Sequence, residues 1–364
     1  MTALRFLHAA DFHLDSPFAA LSAEQARLRR RENRRLPERL ANYVNQNAID
    51  LVLLAGDLFD GAATYRDTLE ALIDALGSMS ARVFIAPGNH DYYAARSPYV
   101  TLRWPENVHI FRAAEIERVD LPELGCAVYG AAFTDARQET SLLQGFAAPD
   151  DGLAHLMVLH GDLNAAEPRY DPLTPEEIAA SNLTYLALGH THRFDGARRF
   201  GRTVCAYPGC PEGRGFDELG EKGVLTGVIE NGEVDITFVP FARRRYHVLR
   251  ADVTDTTPER ALQAVLPDTA ASDLCRVILT GGTDERGVDV EQLQRRFAAD
   301  CFALELRDET HIRQDVWARA QEDSLRGAFL RELRQQYDAA DEAGRAQVER
   351  AVRFGLAALD GRDQ

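Results

Sequence analysis

Short, wholly apolar runs alternate with longer amphipathic ones through the first part of the chain. Leu4 to Ala9 reads as a buried strand. Ser22 to Gln46 reads as a helix, because Leu28, Leu36, Leu40 and Val44 recur at helical spacing between charged faces. Ile49 to Ala55 is a second apolar strand, Tyr65 to Met79 a helix, and Val83-Phe84-Ile85 a strand that stops at Pro87-Gly88. Strands that are apolar throughout, separated by helices, predict a parallel sheet covered on both faces.

The pattern continues more loosely. Cys126 to Ala131, Leu156 to Leu159, Thr184 to Leu188 and Val204 to Tyr207 read as strands. Gly223 to Glu230 and Glu233 to Val239 read as a hairpin, since Asn231-Gly232 between them suits a tight two-residue turn. The expected fold is α/β (α+β): over residues 1–245, two sheets face to face with helices outside. From about Tyr246 the composition changes. Strands at His247–Val253, Cys275–Leu279 and Phe302–Leu306, with helices at Pro258–Leu266 and Val290–Asp300, predict a small α/β domain over 246–312. Residues 313–364 form a helical segment, with helices at Ala318–Tyr337 and Glu342–Leu359 separated near Asp341. Leu325, Phe329, Leu333 and Tyr337 share one stripe, and Val348, Val352, Leu356 and Leu359 another. Such stripes pack on the protein itself or dock a partner in a groove.

At 45% hydrophobic residues the composition is that of an ordinary globular chain. No run of 18 apolar residues is present, so no membrane span is expected. The chain opens directly on a strand, without a signal sequence. Five scattered cysteines without a CxxC pair point to a reducing cytoplasm and away from a structural zinc site or a disulfide framework. The net charge of -16 weighs against a broad nucleic-acid surface. The charge is uneven, however: Arg27, Arg29, Arg30, Arg31, Arg34, Arg35 and Arg39 crowd one helical stretch, and Arg243-Arg244-Arg245 forms a second cluster. The bland reading of such a run is a solvated helix face. A DNA contact and an interface are the alternatives.

Candidate chemistry lies where the apolar runs end. Asp11 and His13 follow the first strand, Asp57 the second and Asn89 the third; His160 closes a fourth, and His190 and His192 follow a fifth. In open α/β sheets ligands bind at these carboxyl ends. One Asp-x-His is more often a polar loop than a site, but five donor-bearing strand ends in order are hard to read as loops. All seven donors are O or N, which suits manganese, iron or zinc rather than copper. Seven are too many for one ion and suit two divalent ions sharing a carboxylate, with a bridging hydroxide as nucleophile for phosphoryl displacement. His90, beside Asn89, is expected to stay out of the ligand set and reach a phosphate oxygen or the departing alkoxide. Asp60 is expected to accept its other N–H.

Asp11-x-His13, Gly56-Asp57, Gly88-Asn89-His90-Asp91, His160-Gly161 and Gly189-His190-Thr191-His192 resemble, in order, the calcineurin-like metallophosphoesterase pattern. Ala10 to Phe18, Ala55 to Asp60 and Tyr207-Pro208-Gly209 further resemble the Mre11/SbcD-like DNA repair exonucleases, most of all their bacterial YhaO-type branch. The resemblance covers about 1–245, and the remainder only in layout. It implies that Asp11, His13, Asp57 and His192 hold one metal and that Asp57, Asn89, His160 and His190 hold the other. His90 would be the phosphate-facing histidine. It further implies manganese dependence, a cap domain over a DNA groove, a Rad50/SbcC-like ATPase partner docked on the helices after Trp317, and a homodimer. Some members carry a second histidine at the Asp60 position, and a small polar residue is common where Cys210 stands.

The expected activity is therefore a manganese-dependent DNA exonuclease, with single-strand endonuclease activity as an extension. A small-molecule or cyclic-nucleotide phosphoesterase is the first alternative, although such enzymes seldom carry an added cap and helical hairpin. A metal-retaining scaffold for the ATPase is the second, and it leaves no reason to keep His90.

Overall fold

The computed structural model describes residues 3–61, 64–163, 168–284 and 286–359. The last five residues of the expected helical segment lie outside them. The chain divides into two compact units, Met1–Arg243 and Arg244–Gln364.

The first unit is built on twelve strands: β1 (Leu4–Ala9), β2 (Leu51–Leu54), β3 (Arg82–Ile85), β4 (Val108–Ile110), β5 (Glu117–Leu121), β6 (Cys126–Gly130), β7 (Ala154–His160), β8 (Tyr185–Gly189), β9 (Arg198–Phe200), β10 (Thr203–Ala206), β11 (Gly223–Glu230) and β12 (Glu233–Pro240). They form two six-stranded sheets, ordered β12-β11-β1-β2-β3-β4 and β9-β10-β8-β7-β6-β5. β1 to β4 run parallel, as do β6, β7, β8 and β10. The hairpin β11–β12 joins antiparallel to β1.

Period-two alternation explains why the central strands are apolar on every residue. Leu51 and Leu53 of β2 point between the sheets, where they meet Phe6, Phe84, Val128, Leu156, Val158 and Tyr185. Val52 and Leu54 point the other way, onto Leu36, Leu40 and Val44 of the helix α2 (Leu36–Gln46), which follows α1 (Ala23–Arg34), and onto Leu72 and Leu76 of α3 (Arg66–Gly77). The outer face of the second sheet is covered in the same way, Met157, Leu159, Leu186 and Leu188 packing with Leu143 and Ile178.

The structure departs from the sequence expectations in several places. The single helix Ser22–Gln46 is two helices, with Arg35 between them at φ -85° and ψ -4°. Pro37, in the first turn of α2, has no N–H to continue α1 and disfavours helical geometry before it. Ser22 caps α1 reciprocally with Gln25. The short strands β4, β5 and β9 escape the apolar pattern because β4 and β5 carry polar residues and β5 and β9 are sheet edges. The arginine run is neither wholly solvated nor wholly free. Arg29 is fully buried against Glu32 and Glu212, Arg39 pairs with Glu212, and Arg34 pairs with Asp67. Arg27, Arg31 and Arg35 remain exposed.

The second unit has a three-stranded parallel sheet, β13 (Tyr246–Asp252), β14 (Leu274–Thr280) and β15 (Ala303–Asp308), with β14 in the centre. Helices α4 (Pro258–Val265) and α5 (Val290–Phe297) cover it through Leu262, Leu293 and Phe297. The helical segment starts later than expected. A short helix, Gln314–Ala318, and a 3-10 turn precede α6 (Leu325–Ala339), whose Ser324 cap accepts from Gly327 N, and α7 (Glu342–Leu359) follows. The stripe on α6 is offset, so that Leu330 is buried with Val352 and Leu356 while Leu325 is 73% exposed. Among the described residues no helix is long and apolar enough to cross a membrane. All five cysteines are buried and unpaired.

One polar side chain ties the sheets of the first unit together. His8 on β1 accepts from the Tyr185 hydroxyl at 2.9 Å and donates to the Leu188 carbonyl at 3.1 Å, both on β8. Burial pushes its pKa down from 6.5 to about 3. The unfolded chain takes up this proton near its ordinary pKa, and the folded one resists it. The neutral ring therefore contributes fully above pH 6.5, and that contribution is lost as the pH falls towards 3. His8→Gln keeps a donor and an acceptor without titrating. It should flatten the fall in stability below pH 6.5 by up to about 1.4 kcal/mol per unit, read from urea unfolding midpoints across a pH series.

Candidate metal centre

The carboxyl ends of β1, β2 and β3 in one sheet meet those of β7 and β8 in the other. Loops after β1 and β2 are laced together by Asp11 N to Gly56 O at 3.0 Å and His13 N to Asp57 O at 3.0 Å. Gly161 N to Gly189 O at 3.1 Å joins β7 to β8. Asp91 clamps the turn after β3 onto the loop after β2. Its buried carboxylate accepts from Gly88 N at 2.8 Å, Leu58 N at 2.7 Å and the Tyr99 hydroxyl at 2.6 Å.

Two glycines let these ends close. A Cβ on Gly189 would lie 1.7 Å from the Ala55 carbonyl oxygen, and one on Gly88 would lie 2.3 Å from Asp57 Oδ1. Four donor residues are held with positive φ: Asp11 at 55°, His13 at 42°, Asp57 at 52° and His190 at 109°. Non-glycine residues in that region cost on the order of 1–3 kcal/mol each and persist where surrounding structure enforces them, commonly at functional sites.

The structure brings six of the expected residues into three overlapping sets whose donor atoms lie within 4.8 Å of one another: Asp11, His13 and His192; Asp11, Asp57 and His160; and His13, Asp57 and His90. Asp57 Oδ2 stands between histidines, 3.7 Å from His13 Nε2 and 3.5 Å from His160 Nε2. Asn89 Oδ1 lies 2.9 Å from His160 Nε2. His190 falls outside the three sets, with its ring 5.3 Å from that of His160 and its backbone N–H on both Asp11 oxygens at 3.2 Å. His90 is 46% exposed and anchored by its own N–H to Asp57 Oδ1 at 2.9 Å.

Each of the three innermost histidines has its Nδ1 committed outward. His160 donates to Ala55 O at 2.9 Å, His192 to Glu218 Oε1 at 2.7 Å, and His13 to Asp60 Oδ1 at 3.1 Å. Such partners fix ring orientation and leave Nε2 to face inward. Asp60 therefore serves His13 first, its distance to His90 Nδ1 being 3.9 Å against the closer pairing expected from sequence. Glu218 and Arg214 carried no signal in the sequence. They sit in a glycine-containing loop, and only the fold brings them to His192. Arg214 bridges both outer carboxylates, with Nη1 3.3 Å from Asp60 and Nη2 2.8 Å from Glu218. Cys210 is buried beneath, its Sγ 3.7 Å from the His192 carbonyl, in a packing role.

The facing atoms demand positive charge between them. With Nδ1 protonated, His160 Nε2 and Asn89 Oδ1 present lone pairs to each other at 2.9 Å, as do His13 Nε2 and His192 Nε2 at 3.3 Å. Among the described residues no lysine or arginine pairs with Asp11 or Asp57. Burial pushes Asp11 up to about 7, against the pull of His192 and His160. Against the opposite effect of burial, Asp57 and Asp11 raise His160, and the Glu218 hydrogen bond and Asp11 raise His192. Burial lowers His13, and pushes His190 down to about 4. A buried pocket of negative potential lined with inward lone pairs fits hard or borderline divalent cations.

Comparison with known proteins agrees with this geometry. The calcineurin-like phosphoesterase family model matches residues 4–194. The chain is 31% identical over 348 residues to the uncharacterized metallophosphoesterase YhaO of Bacillus subtilis, covering 85% of this chain and 83% of that protein. It is 25% identical over 256 residues to the D component of the nuclease SbcCD from the same organism, covering 60% and 64%. It is 23% identical over 332 residues to the DNA double-strand break repair protein Mre11 of Methanopyrus kandleri, covering 84% and 71%. The strand-end donors, the two-sheet architecture and these similarities together make the chain a member of the calcineurin-like phosphoesterase family, within its Mre11/SbcD-like group: a hydrolase of phosphoesters with a candidate divalent-metal site.

Proposed function

We propose that the chain is a two-metal phosphodiesterase acting on DNA, a manganese-dependent exonuclease of DNA repair. The observation that carries the site is the inward convergence of His13, His160 and His192 through Nε2 around Asp11 and Asp57, each ring locked by an outer hydrogen bond. Asp11, His13, Asp57 and His192 would hold one cation, and Asp57, Asn89, His160 and His190 the other. Cations held there supply Lewis acidity to the phosphoryl group and lower the pKa of the attacking water. His90 has the complementary position. It stands at the exposed rim beside His13, ring centroids 4.8 Å apart, with its backbone fixed by Asp57. From there its imidazole reaches a non-bridging phosphate oxygen or gives a proton to the departing alkoxide.

The DNA assignment rests on the similarity to a nuclease component and to a double-strand break repair protein. Added to it is the second unit, which a small-substrate phosphatase has little use for. We assign 246–312 to a cap and 313–364 to partner docking. On α6 and α7, Leu325, Phe354 and Leu359 stay exposed at 73%, 61% and 41%, apolar side chains that a coiled-coil ATPase of the Rad50/SbcC kind could cover.

End-labelled single- and double-stranded DNA should be shortened by the purified chain with manganese, and spared with chelator. His90→Ala should lower the rate about 100-fold or more at unchanged metal content. Intact DNA alongside cleavage of a small phosphodiester would move the assignment to a small substrate, and bound metal without any cleavage would favour the scaffold. Glu218→Gln should weaken metal binding about 10–100-fold, measured by manganese titration, because it loosens His192 without removing a ligand.

A further inference from the structure

The two pairs of facing lone pairs in the metal centre are backed differently. His13 Nε2 meets His192 Nε2 at 3.3 Å, and each of these rings leans outward on a carboxylate, His13 on Asp60 at 3.1 Å and His192 on Glu218 at 2.7 Å. His160 Nε2 meets Asn89 Oδ1 at 2.9 Å, but its ring leans on the neutral Ala55 carbonyl. A carboxylate behind an imidazole makes the ring a stronger donor than a carbonyl does. It also brings a negative charge that something must hold in place.

Arg214 holds both of those charges. It lies in the loop between β10 and β11, where Arg214 N donates to Glu218 Oε2 at 2.7 Å and Glu218 N donates to Gly215 O at 3.1 Å. That turn presents the guanidinium and the carboxylate side by side. Nε and Nη2 donate to Glu218 Oε1 at 3.2 and 2.8 Å, and Nη1 donates to Asp60 Oδ1 at 3.3 Å. Nη2 also stands 3.1 Å from His192 Nδ1, behind the ring. A planar fork of donors can serve two carboxylates at once, which a lysine cannot. His13 follows β1 and His192 follows β8, in different sheets, so Arg214 ties the outer partners of both rings into one unit.

We propose that Arg214 is a positioning residue for one cation only. It sets His13 and His192 together, so the cation they hold with Asp11 and Asp57 depends on it, while the cation held by Asp57, Asn89, His160 and His190 does not. Without the fork, Asp60 and Glu218 lose their shared counter-charge. Asp60, 28% exposed, then turns to water, which releases the His13 ring and screens the charge left behind. The loss of alignment therefore outweighs any attraction the bared carboxylates offer a cation. This inference rests on the two-cation reading of the metal centre.

The test is manganese titration of the full-length chain, with the free ion counted by electron paramagnetic resonance. The wild-type chain should take up two ions. Arg214→Gln should weaken one of them about 10-fold or more and leave the other unchanged. Arg214→Lys, which keeps the charge without the fork, should recover only part of the loss. Combining Arg214→Gln with Glu218→Gln should cost less than the product of the two single fold-changes, because both act through the support of one ring, whereas independent damage to the fold would multiply. An unchanged or tighter profile in Arg214→Gln would overturn the inference, as would equal weakening of both ions or full recovery in Arg214→Lys. Fewer than two ions on the wild-type chain would remove the two-cation reading, and the inference with it.

Discussion

The Ala55 carbonyl, at the end of β2, is where the two sheets of the first unit touch. His160 from the second sheet donates to it at 2.9 Å, and Gly189 passes so close that even a methyl group would collide with its oxygen. This contact sets the distance between the carboxyl ends of both sheets, and therefore between the side chains that leave them. One hydrogen bond fixes the His160 tautomer, directs Nε2 towards Asp57 and Asn89, and joins the halves of the sandwich. His8, deeper between the same sheets, makes a second polar tie to β8. A sandwich held at both points offers its ligand residues little room to relax.

That rigidity has an energetic cost concentrated at the centre. Among the described residues Asp11 and Asp57 are buried without a lysine or arginine partner, three donors sit in the left-handed backbone region on the β1 and β2 loops alone, and lone pairs face each other. The surrounding frame sustains the arrangement through laced loops, the five-donor environment of Asp91 and the outer partners of the histidines. Cations bound there would neutralise the carboxylates and satisfy the lone pairs, so metal binding and folding are thermodynamically coupled. Arg214 has an uncommon place in this scheme. It neutralises Asp60 and Glu218 together, and so a single side chain steadies the outer hydrogen bonds of two histidines on different sheets.

The strands and the inner donors were legible because both depend on local sequence. A strand buried on both faces is apolar at every position, and its end is marked by the first polar residue, which in five cases is a donor or leads directly to one. Pro37 was also visible, yet the apolar spacing across it reads as one continuous helix, and only the backbone shows the break at Arg35. The offset on α6 has a similar origin: periodicity identifies a stripe, but the partner helix decides which side of it is buried. Glu218 and Arg214 were illegible for a different reason. A glutamate and an arginine four residues apart in a loop are ordinary in sequence, and their role exists only once the loop is folded over His192. The same holds for Asp60, whose nearest imidazole is selected by geometry rather than by spacing.

The charge distribution bears on how a chain of net charge -16 would hold a polyanion. Much of the arginine cluster near the start of the chain is consumed internally: Arg29 and Arg39 bind Glu212, and Arg34 binds Asp67. Non-specific attraction to phosphates scales with the number of cations displaced, and within this cluster Arg29, Arg34 and Arg39 are already committed to carboxylates. The proposed substrate would then be held mainly at its reacting end, by metal cations on one phosphate. Under the proposed DNA reading, a longer grip on the strand would have to come from something other than this chain's net charge.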